Sequence, residues 1–314
     1  MKAPKFSYVR ATSVEHAVNL LAEHGDDARI LAGGQSLMPT LNMRLSRPRL
    51  LIDINRLGEL AGAKFDGKNV RIGALTRHAD VMLSHMVAKY LPLIAQAIPH
   101  VAHVAVRNRG TFGGSVALAD PAAEMPACLL ALNGRIVLQS VRGRREVAAE
   151  DYFHGLYQTA RQPDEMLIEA IIAPEPTDMR AAFHELARRH GDFAMAGVAA
   201  RGKVDGGTLS NVRLVYFGSE VKPTLAKSAM AAAEGKPWNG ATRDAVAVVA
   251  PTALAGVSKR RRLWATICYC ADFGAGSSTA ERYGAGDAVA GPWYQRGLSA
   301  AARCTPARGS RHHR

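Results

Sequence analysis

The chain has 314 residues, 48% of them hydrophobic, with a formal net charge of +13; that length accommodates two domains of ordinary size, each with its own core. No apolar run nears the roughly 18 to 20 residues of a membrane span, and the opening MKAPKFSYVR lacks the apolar core of a secretory signal, so the expected location is cytoplasmic. Cys128 stands alone and Cys268, Cys270 and Cys304 come late, a pattern that supplies neither a disulfide framework nor a full zinc or iron–sulfur ligand set.

In chain order, TSVEHAVNLLAEHG reads as a helix: Thr12 and Glu15 have capping-box spacing, Val14, Ala17, Val18 and Leu21 form one apolar face, and Gly25 ends it. Residues 29–31 form a short buried strand running into Gly33-Gly34. Further strands are expected at 50–54 and 70–75, followed by a largely helical stretch from Thr76 to Ile98 that is interrupted at Pro92. A second glycine-rich stretch, NRGTFGGSVALADPAAEMPACLLAL, becomes helical from Pro121 onward. Residues 135–139 and 145–147 flank VRGR as a hairpin, and 166–172 is another strand. APEPTD, 173–178, marks a boundary. Beyond it lie longer strands at 196–204 and 209–217, then helices at 224–233 and 242–249. The expectation is an α+β chain with a first domain at 1–175, a second at 176–258, and a basic, poorly ordered tail at 259–314.

That tail holds ten Lys/Arg against three Asp/Glu, so about half of the excess charge lies there. The mildly basic remainder suits an anionic cofactor or an ordinary solvated surface. An Arg- and Gly-rich tail also raises RNA binding, but few aromatics interleave with the charges, and a nucleic-acid partner is not the reading preferred. His100 and His103 are three apart, with no Cys, Asp or Glu nearby to complete a metal set.

The two Gly-Gly sites share one grammar: apolar strand, Gly-Gly, a small hydroxyl or amide residue, then the start of a helix. Backbone N–H groups at such turns form a concave anion site that glycine lets a phosphate approach. Gln35, Ser36, Thr111 and Ser115 add side-chain donors. Neither the Gly-Lys-Ser/Thr phosphate loop nor a G-x-G-x-x-G turn is present, so a different dinucleotide fold is required.

AGGQSLMPTLNMRLSRPRLLIDI and RNRGTFGGSVALADPAAEMPACLLAL resemble the two signature stretches of the FAD-binding medium subunits of the molybdenum hydroxylases, the carbon monoxide dehydrogenase and xanthine dehydrogenase family. ARRHGDFAMAGVAA at 187–200, and FGS with GKPW between 217 and 238, are similar as well; the likeness covers residues 1 to about 255. It implies a two-part FAD-binding domain of vanillyl-alcohol-oxidase type followed by an α+β closing domain. The first loop, Ala32, Gly33, Gly34, Gln35, Ser36 and Leu37, and the second, Thr111, Gly113, Gly114 and Ser115, would wrap the FAD pyrophosphate and adjoining hydroxyls. Asp120 would fix the flavin's polar chain, with Glu124 a weaker candidate. Arg188, Asp192 and Phe193 match the segment that closes over the isoalloxazine ring, where Phe193 would offer its face and Asp192 either joins it or holds the turn. Arg107 and Arg109 either neutralise phosphate, meet a partner subunit, or are solvated.

The resemblance further implies that no residue here is catalytic in substrate hydroxylation. The molybdenum cofactor would sit on a large partner subunit and two-iron two-sulfur clusters on a small one, in a heterotrimer or its dimer. The competing enzyme reading is a stand-alone FAD oxidase of related fold, which often carries a covalent flavin link through His or Cys; neither lies in the glycine loops. The tail departs from the family: SKRRRLWATICYC begins like its terminal amphipathic helix and then loses the period, which points to a reading-frame change near Leu263. Intact mass together with the encoding DNA tests this.

Overall fold

A computed structural model describes residues 2–249, so the expected tail at 259–314 lies outside the described residues. A strand without a clear sequence signal, β1 (Ser7–Arg10), precedes α1 (Val14–His24). Ser13, not Thr12, caps α1: its hydroxyl accepts from the His16 backbone N–H at 3.1 Å, while Thr12 reaches the His16 ring instead. The face Val14, Ala17, Val18 and Leu21 is buried as its spacing requires. β2 (Ala28–Leu31) leads through the first Gly-Gly turn into α2 (Leu37–Asn42), and β3 (Leu50–Asp53) lies between β1 and β2 in a parallel sheet. Every residue of β3 is buried, hence the unbroken Leu50-Leu51-Ile52 run instead of alternation, with the closing Asp53 satisfied by Tyr8 and Asn55.

β4 (Ala63–Phe65) and β5 (Val70–Gly73) open a second sheet. The stretch expected as one helix broken at Pro92 is three: α3 (His78–Leu83), α4 (His85–Tyr90) and α5 (Pro92–Ala97). Ser84 ends the first and caps the second, and Pro92 opens the third, where its missing N–H leaves no helical bond unmade. Then follow α6 (Val104–Arg107), α7 (Phe112–Leu118) and α8 (Glu124–Ala131). The expected hairpin is β6 (Arg135–Ser140) with β7 (Gly143–Ala148). After α9 (Ala149–Tyr152), β8 (Phe153–Gly155) and β9 (Gln158–Thr159), β10 (Met166–Ile172) takes the centre of the antiparallel order β4-β5-β10-β6-β7.

The last sheet has the order β11 (Met179–Leu186), β12 (Ala196–Asp205), β13 (Thr208–Phe217), β14 (Thr224–Leu225), followed by α10 (Lys227–Ala233) and α11 (Gly240–Val249). β14 occupies the beginning of the helix expected at 224–233. β11, MRAAFHEL, is rich in helix formers, yet all eight residues pair with β12: tertiary pairing overrides local preference.

One face of this sheet packs Ala182, Val198, Leu214 and Tyr216 against α10. The other places Phe183, Ala199, Val215 and Phe217 in the same buried cluster as α5, α7 and α8. α8 is buried at every position, which is why EMPACLLA has no polar face. The α+β class and the division of the N-terminal part between two sheets agree with expectation.

Candidate cofactor-binding site

The first turn leaves β2 at Leu31. Gly34 has φ 71°, a left-handed conformation suited to glycine, and its carbonyl accepts from Met38 to start α2. Among the described residues, the backbone N–H groups of Gly33, Gly34, Gln35, Ser36 and Leu37 find no protein acceptor. Gln35 folds back to donate to the Gly33 carbonyl at 3.1 Å. Gly33 is bare for a second reason: a Cβ there would lie 2.3 Å from the Arg109 carbonyl oxygen and 2.8 Å from Gly110 Cα. The two glycine-rich stretches therefore touch, although 78 positions separate Gly33 from Thr111.

The second turn is built differently. Thr111 caps α7, accepting from Gly114 N–H at 3.0 Å. Phe112 and Gly113 donate their backbone N–H groups to the carbonyls of Thr76 and Ala74. A Cβ on Gly113 would meet Ala74 at 2.6 Å. The amides of residues 112–114 are thus engaged inside the protein; Thr111 is itself buried as the α7 cap, and Ser115 is the partly exposed hydroxyl of the second stretch. Gly113 packs against Ala74, the residue just past β5.

α7 spans about 10 Å, so Thr111 and Asp120 stand at opposite ends of it. Ala119 closes the helix in the left-handed region, which turns the chain toward Asp120. One Asp120 oxygen accepts from Ala122 N–H at 2.9 Å and the other from the Tyr157 hydroxyl at 3.2 Å. Glu124, at the start of α8, is 7% exposed; burial, reinforced by Asp120, pushes its carboxyl up to about 7. Glu185 on β11 is pushed up to about 8 by burial and by Glu124, and one of its oxygens is buried with no hydrogen-bond partner. Glu124 therefore lies, buried, beside the partly buried Glu185 where α8 meets the last sheet.

Phe193 lies in the loop between β11 and β12 and is 75% exposed. The base of that loop is fixed to the segment just before α6. Gly191, φ 84°, has no room for a Cβ against the Ala102 carbonyl and the His103 ring, and the His190 ring lies 6.2 Å from that of His100. Asp192 donates its backbone N–H to the Arg189 carbonyl, a turn contact. Arg107 is buried and donates to the carbonyls of Pro99, Val101 and Ala102, so it supports this loop rather than facing a phosphate. Arg109 and Arg188 are exposed. Asn55 and Arg77, whose side chains run between the two turns, carry no sequence signal beyond their places just past β3 and β5.

The donors present fit a dinucleotide. Five open amides and the Gln35 and Ser36 side chains suit a diphosphate, and no carboxylate lies within 32–37 or 111–115 to repel it. An acceptor, Asp120, stands about one helix length away, and an exposed aromatic lies on a separate loop. Among the described residues no group of three or more His, Cys, Asp or Glu could hold a metal ion, and no helix is long and apolar enough to cross a membrane.

Residues 4–176 match the family described as the FAD binding domain in molybdopterin dehydrogenase, and residues 181–262 match the CO dehydrogenase flavoprotein C-terminal domain. The chain is 45% identical over 219 residues to 6-hydroxypseudooxynicotine dehydrogenase complex subunit alpha of Paenarthrobacter nicotinovorans, covering 69% of this chain and 74% of that one. It is 37% identical over 257 residues to the carbon monoxide dehydrogenase medium chain of Hydrogenophaga pseudoflava, covering 81% and 88%. A solved structure of carbon monoxide dehydrogenase from H. pseudoflava, lacking the Mo-pyranopterin moiety, superposes with a TM-score of 0.84 at 35% identity, over 86% of this chain and 97% of that one.

Proposed function

Because the chain belongs to the family of FAD-binding medium subunits of the molybdenum hydroxylases, we propose that it is the electron-output subunit of a heteromeric dehydrogenase. In this reading it receives electrons from two-iron two-sulfur clusters on a small subunit and passes them to an external acceptor. The large subunit holds the molybdenum cofactor and chooses the substrate. The assembly is a cytoplasmic heterotrimer or its dimer, with this chain divided near 175 and 258. FAD supplies the step from single electrons to pairs, while the protein supplies orientation and electrostatics.

The observation that carries the reading is the meeting of the two glycine turns with one row of amides left open. Ala32 to Leu37 would hold the pyrophosphate through backbone N–H groups, helped by Gln35 and Ser36. Thr111 and Ser115 would donate hydroxyls from the facing turn, which Gly113 and Gly114 allow to pack closely. Asp120, oriented by Tyr157 and Ala122, would accept from hydroxyls of the chain between phosphate and ring. Phe193 would cover a face of the isoalloxazine and keep water from it. Glu124, the weaker candidate, lies buried at the start of α8 near Glu185.

The test is the visible absorption spectrum of the purified chain, with and without added FAD, and after heat release. Flavin bands and recovery of free FAD support the reading. Folded protein that neither carries nor takes up FAD contradicts it.

A further inference from the structure

The two turns are tied to each other by two side chains that belong to neither. Asn55, two residues past β3, donates its amide to the Ala32 carbonyl at 2.8 Å, to that of Leu31 at 3.3 Å and to Asp53 Oδ1 at 2.7 Å. Its Oδ1 accepts from Arg77 Nη2 at 2.7 Å. The other end of the same guanidinium, Nη1, donates to the Arg109 carbonyl, the oxygen that lies against Gly33. The Arg77 backbone also pairs with Thr111 in an isolated antiparallel bridge. One planar group therefore spans from the first turn's anchor to the second turn, and its rigid fork defines the separation.

Asn55 is itself immobilised. Its partner Asp53 accepts from the Tyr8 hydroxyl and from Asn55 N–H, and lies 3.6 Å from Arg10. Partial burial and the neighbouring Arg109 charge hold the Arg77 guanidinium below its usual range. Two cations near one set of open amides repel one another, and an anion received between the turns relieves that repulsion.

We propose that Arg77, acting with Asn55, is a positioning residue that sets the gap between the two turns and thereby the affinity for the FAD pyrophosphate. This rests on the FAD reading above. A lysine at 77 keeps the charge but lacks two donors on one plane, so charge alone does not restore the gap.

The test uses the full-length chain, titrated with FAD while flavin fluorescence is followed, for the wild type, Arg77→Gln, Arg77→Lys, Asn55→Ala and the Arg77→Gln/Asn55→Ala double variant. Circular dichroism and Tm of the FAD-free proteins identify the variants that fold as the wild type does. The Kd of Arg77→Gln rises by about 10- to 100-fold, the range for losing charge-assisted hydrogen bonds. Arg77→Lys stays closer to Arg77→Gln than to the wild type. The double variant is no weaker than the worse single one, because both substitutions break the same link; two independent structural losses would instead multiply. Wild-type affinity in folded Arg77→Gln or Asn55→Ala overturns the clamp and leaves the FAD reading standing. Failure of the wild type to bind FAD overturns both. Should Arg77→Gln fail to fold, Asn55→Ala and Arg77→Lys decide by the same criteria.

Discussion

The two Gly-Gly turns are nearly alike in sequence, AGGQS and TFGGS, yet they use glycine for different ends. In the first, the amides from Gly33 to Leu37 remain open, and Gly33 yields space to the backbone of Arg109 and Gly110. In the second, the amides of Phe112, Gly113 and Gly114 are taken by Thr76, Ala74 and Thr111, and Gly113 yields space to Ala74, just past β5. One turn leaves its amides open and the other closes its own against the protein. A shared motif thus fixes the closeness of approach without fixing what approaches.

The sharpest way to break the comparison is Gly33→Val. Its Cβ meets the Arg109 carbonyl at 2.3 Å, so the turns must part; the expected result is loss of bound FAD together with about 1 to 3 kcal/mol of stability. Flavin content and denaturant midpoint, measured on one preparation, check both, and a variant that keeps its flavin would show that the contact is dispensable. Gly113→Ala comes next. It overpacks against Ala74 at 2.6 Å and should destabilise by a similar 1 to 3 kcal/mol, with FAD affinity following only through the shape of the turn. Should affinity fall while stability holds, Gly113 faces the ligand after all. Gly114→Ala is milder: its Cβ would lie 2.7 Å from the Thr111 hydroxyl and displace it from the α7 cap, a loss of about 1 kcal/mol readable in urea unfolding.

The effect smallest in any single measurement is a slope. The second stretch continues into the buried Glu124, raised to about 7, which faces the partly buried Glu185 of β11, raised to about 8, both chiefly by burial from an ordinary 4.5. The folded state keeps protons that the unfolded chain releases, so this contribution is full below pH 4.5 and is lost as pH rises through 7 and 8. Denaturant midpoints from pH 5 to 9 should fall accordingly, and Glu185→Gln should flatten the decline. An unchanged profile in that variant would remove Glu185 as its source.

Much of the architecture was legible because its signals are local. The apolar stripe of α1, the continuous run of β3 and the VRGR hairpin each follow from one short window. β11 was not legible, because Ala, Glu and Leu favour helix and only β12 makes the segment a strand. β1 and β4 are short edge strands with little alternation to read. At the site, the glycines and their hydroxyl neighbours stand out as residue types, whereas Asn55 and Arg77 are ordinary polar residues whose meaning lies in a contact across 22 positions. Arg107 misled for the opposite reason. A basic residue beside a glycine loop suggests phosphate, but its partners are three carbonyls of the preceding turn.

The seam between the two halves has a consequence for how the chain unfolds. Phe183 and Phe217 stack at 5.5 Å within the cluster that contains α8. Gly218 donates to the Pro121 carbonyl at 2.7 Å, Gln96 exchanges hydrogen bonds with Ala181 and Phe183, and Lys222 reaches the Phe153 carbonyl. Apolar burial and backbone bonds that cross a boundary in this way make its two sides lose structure together. The expected outcome is one shared cooperative transition in denaturant, so that a substitution far out on the last sheet shortens the lifetime of the whole flavin-binding fold; two resolved transitions would contradict it.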